Sequence, residues 1–230
     1  MVAGVVALAL VLPLHGKTIA IDPGHNGRNY AHTSEINRLV DAGTLRKACD
    51  TTGTASNGGY SEAAYNLDIA LRLAKILRAA GARVVLTRST NDGWGPCITQ
   101  RAAIGNRAHA DAAISIHADG GPASGRGFHV IYPPPIPKLT DDIAAASHRL
   151  AVAVRNAFLV GTGEPYADYL GRDGLDVRSD LGGLNLSDVP KVFIETGNMR
   201  NAGDAARLGS AAYRQREAVA LAKGLEAFLG

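Results

Sequence analysis

Two histidines and a glutamate each end a short apolar segment, and these residue types can hold a metal ion. His25 ends the segment TIAIDPGH, His117 ends AAISIH, and Glu195 ends VFIE. Zinc in hydrolases is bound by imidazole and carboxylate donors in a tetrahedral array that leaves one position for water. The three residues therefore predict a zinc hydrolase site if the fold brings them together.

Each of these residues also has an ordinary structural alternative. His25 follows a turn-forming Asp-Pro-Gly and could face solvent, whereas His117 could be a hydrogen-bonded core histidine. A buried Glu195 could be satisfied by loop amides rather than by a metal-bound water. Glu62 follows Ser61 at the start of a predicted helix, where an acid is favoured by the helix dipole alone. Taken one at a time, the residues leave these alternatives open.

The elements that must position these residues alternate between strands and helices. Short Val- and Ile-rich segments predict strands at 17–22, 83–88, 112–117, 127–132 and 191–195. Apolar periodicity predicts helices at 62–80, 98–110, about 141–159 and about 204–229. In the first of these helices, the residues expected on the buried face are Leu67, Ala70, Leu71, Ala74 and Leu77.

This alternation predicts an α/β fold with a mostly parallel, mixed and twisted sheet of about six strands, flanked by helices on both faces. Parallel strands share one carboxyl edge, and ligands bind at that edge in open α/β sheets. His25, His117 and Glu195 are expected to meet there.

Length and charge narrow the class of protein. The chain has 230 residues, enough for one large domain, and residues 17–230 are expected to form it as a monomer. The net charge is +3 without a basic stripe, which argues against a nucleic-acid partner. The apolar residues 2–14 are too short to span a membrane. Residues 1–16 are therefore expected to be the remnant of an export signal, or else an extension packed on the domain.

The two cysteines favour a location outside the cytoplasm. Cys49 and Cys97 both lie in loop-like segments and would pair in an oxidising compartment. The alternative is two unrelated free thiols. No CxxC motif is present, which argues against a thiol redox centre or a zinc ribbon.

Three long loops, 26–60, 88–97 and 161–190, are expected to be functional or mobile. Arg88 and Arg101 are expected to hold loops rather than substrate, and His129 to be packed or on the surface. Three polar residues of the last loop are expected to be solvated, with contact to a peptide substrate as the alternative: Asp173, Arg178 and Asn185.

Four motifs in order resemble those of the zinc-dependent N-acetylmuramoyl-L-alanine amidases of the amidase-3 family. They are IDPGH ending at His25, SE at Ser61 and Glu62 with Asn66 following, SIHAD around His117, and VFIE ending at Glu195 with TGN after it. The resemblance extends from about residue 17 to the C-terminus and is closest to single-domain members that carry a disulfide. It implies that His25, Glu62 and His117 bind one zinc ion and that Glu195 is the catalytic acid and base.

The resemblance also implies a function. It is the hydrolysis of the amide bond between N-acetylmuramic acid and L-alanine in peptidoglycan by an exported, extracytoplasmic enzyme. A zinc peptidase acting within the stem peptide and a catalytically silent wall-binding module are the alternatives. The presence of Glu195 argues against the silent module, because a pure binder has no need for it.

Overall fold

The computed structural model describes residues 13–230. Its strands are β1 (Thr18–Pro23), β2 (Leu39–Asp41), β3 (Arg46–Ala48), β4 (Arg83–Leu86), β5 (Ala112–Asp119), β6 (His129–Tyr132), β7 (Leu175–Val177) and β8 (Lys191–Asn198). Its α-helices are α1 (Thr33–Ile36), α2 (Glu62–Ala79), α3 (Ile98–Arg107), α4 (Ala144–Thr162), α5 (Gly182–Asn185), α6 (Ala202–Leu208) and α7 (Ala211–Leu229).

The N-terminal prediction falls mostly outside this range. Residues 1–12, which hold most of the apolar segment, are not among the described residues, so the export signal stays a prediction. Within 13–230, none of the helices has the length and apolar character needed to cross a membrane.

Six strands form one sheet in the order β4-β1-β5-β8-β6-β7. The first four are parallel neighbours, β6 runs antiparallel to β8, and β7 runs parallel to β6. This confirms the predicted α/β fold with a mixed, mostly parallel sheet. Strands β2 and β3 form a separate antiparallel hairpin.

The sheet has one apolar and one polar face. Successive strand residues point to opposite sides, so apolar and polar residues that alternate along a strand are separated onto the two faces. Ile21, Ile116 and Ile194 are fully buried on the face that α2, α4 and α7 cover. The opposite face, against which α3 and α5 pack, carries Asp22 and Ser115, which are hydrogen-bonded to each other. The residues proposed to do chemistry lie at the carboxyl edge of this polar face.

Helix α2 begins at the predicted cap, and Ala70, Ala74 and Leu77 of the expected face are buried. The Ser61 hydroxyl accepts from Ala64 N at 3.3 Å, and Gly81 follows the helix with φ of +92°. The prediction that Leu71 lies on the buried face is wrong, since it is 42% exposed. The buried apolar stripe also contains Tyr65, Ile69 and Leu73, which lie four residues apart and continue to Leu77.

The C-terminal segment predicted as one helix forms two, α6 and α7, separated by Gly209 and Ser210. The Ser210 side chain caps α7 by accepting from Tyr213 N. Strands β2, β3 and β7 and helix α5 were not predicted, because three or four residues carry too little periodicity to detect.

Candidate metal centre

His25, Glu62 and His117 converge at the carboxyl edge of the sheet. Nε2 of His25 and Nδ1 of His117 lie 3.2 and 2.9 Å from the same oxygen, Oε1 of Glu62. One donor atom from each residue lies within 4.8 Å of the other two. The sheet places the histidines side by side, because Gly24 N donates to Ile116 O at 3.0 Å just beyond β1. Glu62 comes from the first residue of α2.

The atoms that face away from this centre are held by the segment 50–54. Nδ1 of His25 is 3.0 Å from the carbonyl oxygen of Thr51 and 3.4 Å from Oδ1 of Asp50. A carbonyl can only accept, so Nδ1 carries a hydrogen and Nε2 is the ring nitrogen that faces the centre. The second oxygen of Glu62 accepts from Thr54 N at 2.9 Å. Both side chains are therefore oriented from behind.

Two glycines leave room for the ligands. A Cβ on Gly24 would lie 2.1 Å from Cε1 of His117. A Cβ on Gly53 would lie 2.7 Å from both Oε2 of Glu62 and Cδ2 of His25, and its φ of +73° favours glycine as well. Larger residues at either position would push the donors apart.

The centre carries a buried negative charge between two imidazoles. Burial raises the pKa of Glu62, but His25 and His117 outweigh it and hold that pKa well below its ordinary value. Burial lowers the pKa of His25, while the carboxylates of Glu62 and Asp50 raise it to about 10. An ionised carboxylate thus attracts positive charge to this point.

The geometry fits a zinc ion. Ligands at 2.0–2.1 Å in a tetrahedron lie about 3.3 Å from each other, close to the 2.9 and 3.2 Å that separate Glu62 Oε1 from the two imidazole nitrogens. Two imidazoles and one carboxylate match the ligand set of catalytic zinc sites that keep a fourth position open. The same three residues can therefore hold a metal ion.

Glu195 lies beside this centre. It pairs in register with His117 across β5 and β8, and both side chains line one cavity of about 370 Å³. Its Oε2 atom is buried and makes no hydrogen bond to any described residue. Burial, and then the charges of Glu62 and Asp119, raise the pKa of Glu195 well above its ordinary value. A carboxyl group with this environment holds a proton more readily than an exposed glutamate.

His129 flanks Glu195 on the other side, since the two residues are directly opposite across the antiparallel strands β6 and β8. It is 1% exposed, so of the two expected surroundings, packed or on the surface, the packed one is found. Its position beside Glu195 was not predicted, because it depends on the register of β6. Burial lowers the pKa of His129, which favours the neutral imidazole.

Arg88 and Arg101 hold loops, as predicted. Arg88 donates to the carbonyl oxygens of Gly24 and Ala63 at 2.9 and 2.7 Å, which joins the turn before His25 to α2. Arg101 is buried, donates to His25 O at 2.9 Å, and forms ion pairs with Asp22 and Asp50.

The three polar residues of the loop 161–190 differ in their surroundings. Asp173 is exposed, with 78% of its side chain accessible, as predicted. The prediction of a solvated side chain is wrong for Asn185, which is fully buried and donates to Ala42 O and Ser179 O, both at 2.8 Å. Arg178 lines the same cavity as Glu195.

Cys49 and Cys97 form a disulfide, as predicted, with Cα atoms 4.4 Å apart. The bond joins the segment that follows β3 to the residue that caps α3. It therefore ties the first long loop to the second beside the candidate metal centre.

Comparisons with known proteins identify the family of this chain. Residues 19–227 match the N-acetylmuramoyl-L-alanine amidase family, Amidase_3. The chain is 44% identical to the N-acetylmuramoyl-L-alanine amidase Rv3717 of Mycobacterium tuberculosis, over 93% of this chain and 87% of that protein.

Solved structures show the same fold. The crystal structure of the N-acetylmuramyl-L-alanine amidase Ami1 from Mycobacterium smegmatis superimposes with a TM-score of 0.88 at 40% identity, over 95% of this chain and 99% of that one. The apo form of Ami1 from Mycobacterium abscessus gives a TM-score of 0.88 at 42% identity, over 94% of this chain and 100% of that one. This chain therefore belongs to the N-acetylmuramoyl-L-alanine amidase family.

Proposed function

We propose that this protein uses one zinc ion to hydrolyse the amide bond between the lactyl group of N-acetylmuramic acid and L-alanine in peptidoglycan. The observation that carries the proposal is the convergence of His25, Glu62 and His117 within 4.8 Å, with Glu195 lining the same cavity. His25, Glu62 and His117 would bind the ion. The amidase names of the relatives supply the bond that is cleaved.

Zinc, when bound, supplies a Lewis acid for the amide carbonyl and lowers the pKa of a coordinated water to about 7. The chain's own residues orient the ligands and move the proton. Thr51 and Thr54 hold the outward-facing atoms of His25 and Glu62 through main-chain hydrogen bonds, so little reorganisation is needed for binding.

Glu195 would act first as a base and then as an acid. Its carboxylate accepts a proton from the attacking water as the new C–O bond forms. The same proton then passes to the nitrogen of the leaving L-alanine when the C–N bond breaks. The buried environment that raises its pKa favours this second, acidic step.

We also propose that residues 17–230 form an exported catalytic domain that acts as a monomer outside the cytoplasm. The Cys49–Cys97 disulfide supports an oxidising compartment. All four site residues come from one chain, so the site is complete without a second copy.

The test is to incubate the purified protein with muramyl dipeptide, with and without a chelator, and to identify the products by mass spectrometry. We expect N-acetylmuramic acid and an intact peptide that begins with L-alanine, and no product with chelator until zinc is restored. Cleavage within the peptide would indicate a peptidase, and binding without cleavage would indicate a silent wall-binding module.

A further inference from the structure

The cavity that contains Glu195 has two partly exposed cations on its wall. Lys47 of β3 and Arg178, the residue after β7, both line it. Their side chains are 34% and 36% exposed. Arg101 also lines the cavity but is 5% exposed and already paired with two carboxylates. Lys47 and Arg178 are therefore the cations of this lining that a ligand can reach.

Asp180 fixes both cations in place. Nε and Nη2 of Arg178 each donate to one of its oxygens at 2.8 Å, and Nζ of Lys47 lies 3.1 Å from Oδ2. Nη1 of Arg178 makes no hydrogen bond to the residues described here. One carboxylate between two cations leaves a net positive charge, and the forked contact holds the guanidinium in a fixed orientation.

The sheet connects Arg178 to the proposed reacting position. Phe193 precedes Glu195 by two residues on β8, which is about 7 Å along a strand. It pairs with Ile131 of β6, and Tyr132 accepts a main-chain hydrogen bond from Arg178 at 3.2 Å. Phe193 and Ile131 line the cavity and, in the register of the sheet, lie between Glu195 and the residue Tyr132 that Arg178 contacts.

The proposed substrate has one part that matches this arrangement. Its N-acetylated sugars are uncharged, and the lactyl carboxyl group is consumed in the amide to be cleaved. The carboxylates belong to the peptide, whose second residue is a glutamate with an α-carboxyl group that is either free or present as a carboxamide. That residue lies about 7 Å from the scissile bond, since an extended chain advances 3.3–3.6 Å per residue.

We propose that Arg178, oriented by Asp180 and assisted by Lys47, binds the free α-carboxylate of the second stem-peptide residue and makes the enzyme prefer it over the carboxamide. The methyl group of L-alanine, which lies between the scissile bond and this carboxylate, would contact Phe193 and Ile131. This inference rests on the proposed function and adds a substrate class to it.

The test compares muramyl-L-alanyl-D-glutamate with muramyl-L-alanyl-D-isoglutamine as substrates of the zinc-loaded protein. We expect kcat/KM to favour the carboxylate roughly tenfold, mainly through KM, because charge-assisted hydrogen bonds are the stronger kind. Arg178→Gln should bring the ratio to within about twofold, and Arg178→Lys, which keeps the charge without the fork, should fall between. Arg172→Gln is the matched control, because this arginine is 94% exposed and outside the cavity.

An equal rate on both substrates with the wild type, or an unchanged ratio in Arg178→Gln, would overturn the inference. If Arg178→Gln fails to fold, the lysine variant decides by the same ratio. If neither substrate is cleaved, the proposed function fails, and calorimetry decides the inference separately. Calorimetry compares the binding of L-alanyl-D-glutamate and L-alanyl-D-isoglutamine to the wild type and to Arg178→Lys. Equal affinities of the wild type for the two dipeptides would overturn the inference.

Discussion

Oδ1 of Asp50 lies 3.4 Å from Nδ1 of His25, on the side of the imidazole that faces away from the candidate metal centre. The other oxygen of Asp50 accepts from Arg101 at 3.0 Å, and Arg101 also donates to the main chain of His25. Asp50 and Arg101 therefore hold both the ring and the backbone of one proposed ligand. Such partners orient metal ligands and raise their basicity.

Replacing Asp50 with asparagine should lower zinc affinity by roughly 10- to 100-fold, the usual effect of removing a carboxylate behind a histidine ligand. Competition with a chromophoric chelator measures this directly. Asp188→Asn is the matched control, because Asp188 is exposed and its replacement changes the net charge by the same amount. Equal zinc affinity of Asp50→Asn and the wild type would exclude Asp50 from the support of the metal centre.

The disulfide should affect zinc binding as well as stability, because Cys49 adjoins Asp50. Replacing both Cys49 and Cys97 with serine removes a crosslink over 48 residues, for which a loss of about 2–4 kcal/mol in the free energy of unfolding is typical. We expect weaker zinc binding in addition, since residues 50–54 hold His25 and Glu62. Urea unfolding and chelator competition measure the two effects. A stability loss with unchanged zinc affinity would separate the disulfide from the site.

Replacing Gly53 with alanine should weaken zinc binding by a steric route. The new Cβ would lie 2.7 Å from both Glu62 and His25, so at least one ligand must shift. Gly59→Ala is a close control, because Gly59 has a similar positive φ of +84° but nothing within 4 Å of its Cβ position. Both substitutions introduce the backbone strain of an alanine at positive φ, but only Gly53→Ala should lose metal affinity. Equal zinc affinity of the two variants would show that contact between the new Cβ at position 53 and the ligands does not affect metal binding.

The chemistry-bearing residues could be found from sequence where each follows an apolar strand. His25 lies two residues beyond β1, whereas β5 and β8 extend two and three residues past His117 and Glu195; parallel strands still align these carboxyl-terminal segments at one edge. Glu62 required the family resemblance, since an acid at a helix start has an ordinary explanation.

The supporting residues could not be found in this way, because they depend on contacts between distant segments. Asp50 and Thr54 lie in a loop without periodicity, and only the folded chain brings them to His25 and Glu62. His129 reaches Glu195 through the antiparallel register of β6, which the pattern of apolar residues does not specify. Arg178 adjoins a three-residue strand that was not predicted.

Replacing Glu195 with glutamine should abolish most turnover and leave the metal in place. The amide cannot exchange a proton with water or with the leaving nitrogen, and loss of a general acid and base typically costs 10²- to 10⁴-fold, so a fall of about that size in kcat is expected. Metal analysis of the same sample should show one zinc per chain, whereas His117→Ala should show little. A variant Glu195→Gln with near-wild-type turnover would remove this residue from the mechanism.

Glu217 of α7 predicts a pH dependence of stability that is independent of the metal centre. It is fully buried, accepts from the Tyr65 hydroxyl at 2.8 Å, and its other oxygen makes no hydrogen bond to the residues described. Burial raises its pKa well above the ordinary value of 4.5. The folded protein therefore retains a proton that the unfolded chain releases, so this contribution is complete below pH 4.5 and declines as pH rises toward the folded pKa.

Glu217→Gln should remove that decline, because glutamine is neutral at every pH and can still accept from Tyr65. The free energy of unfolding of Glu217→Gln minus that of the wild type should increase with pH. The increase should be about 1.4 kcal/mol for each pH unit between the unfolded and the folded pKa of Glu217. Urea unfolding at pH 5, 6 and 7 measures the difference, and Glu226→Gln, a partly exposed position on the same helix, is the control. A constant difference between Glu217→Gln and the wild type over this range would mean that Glu217 is ionised in the folded protein, with a cation or water satisfying its second oxygen.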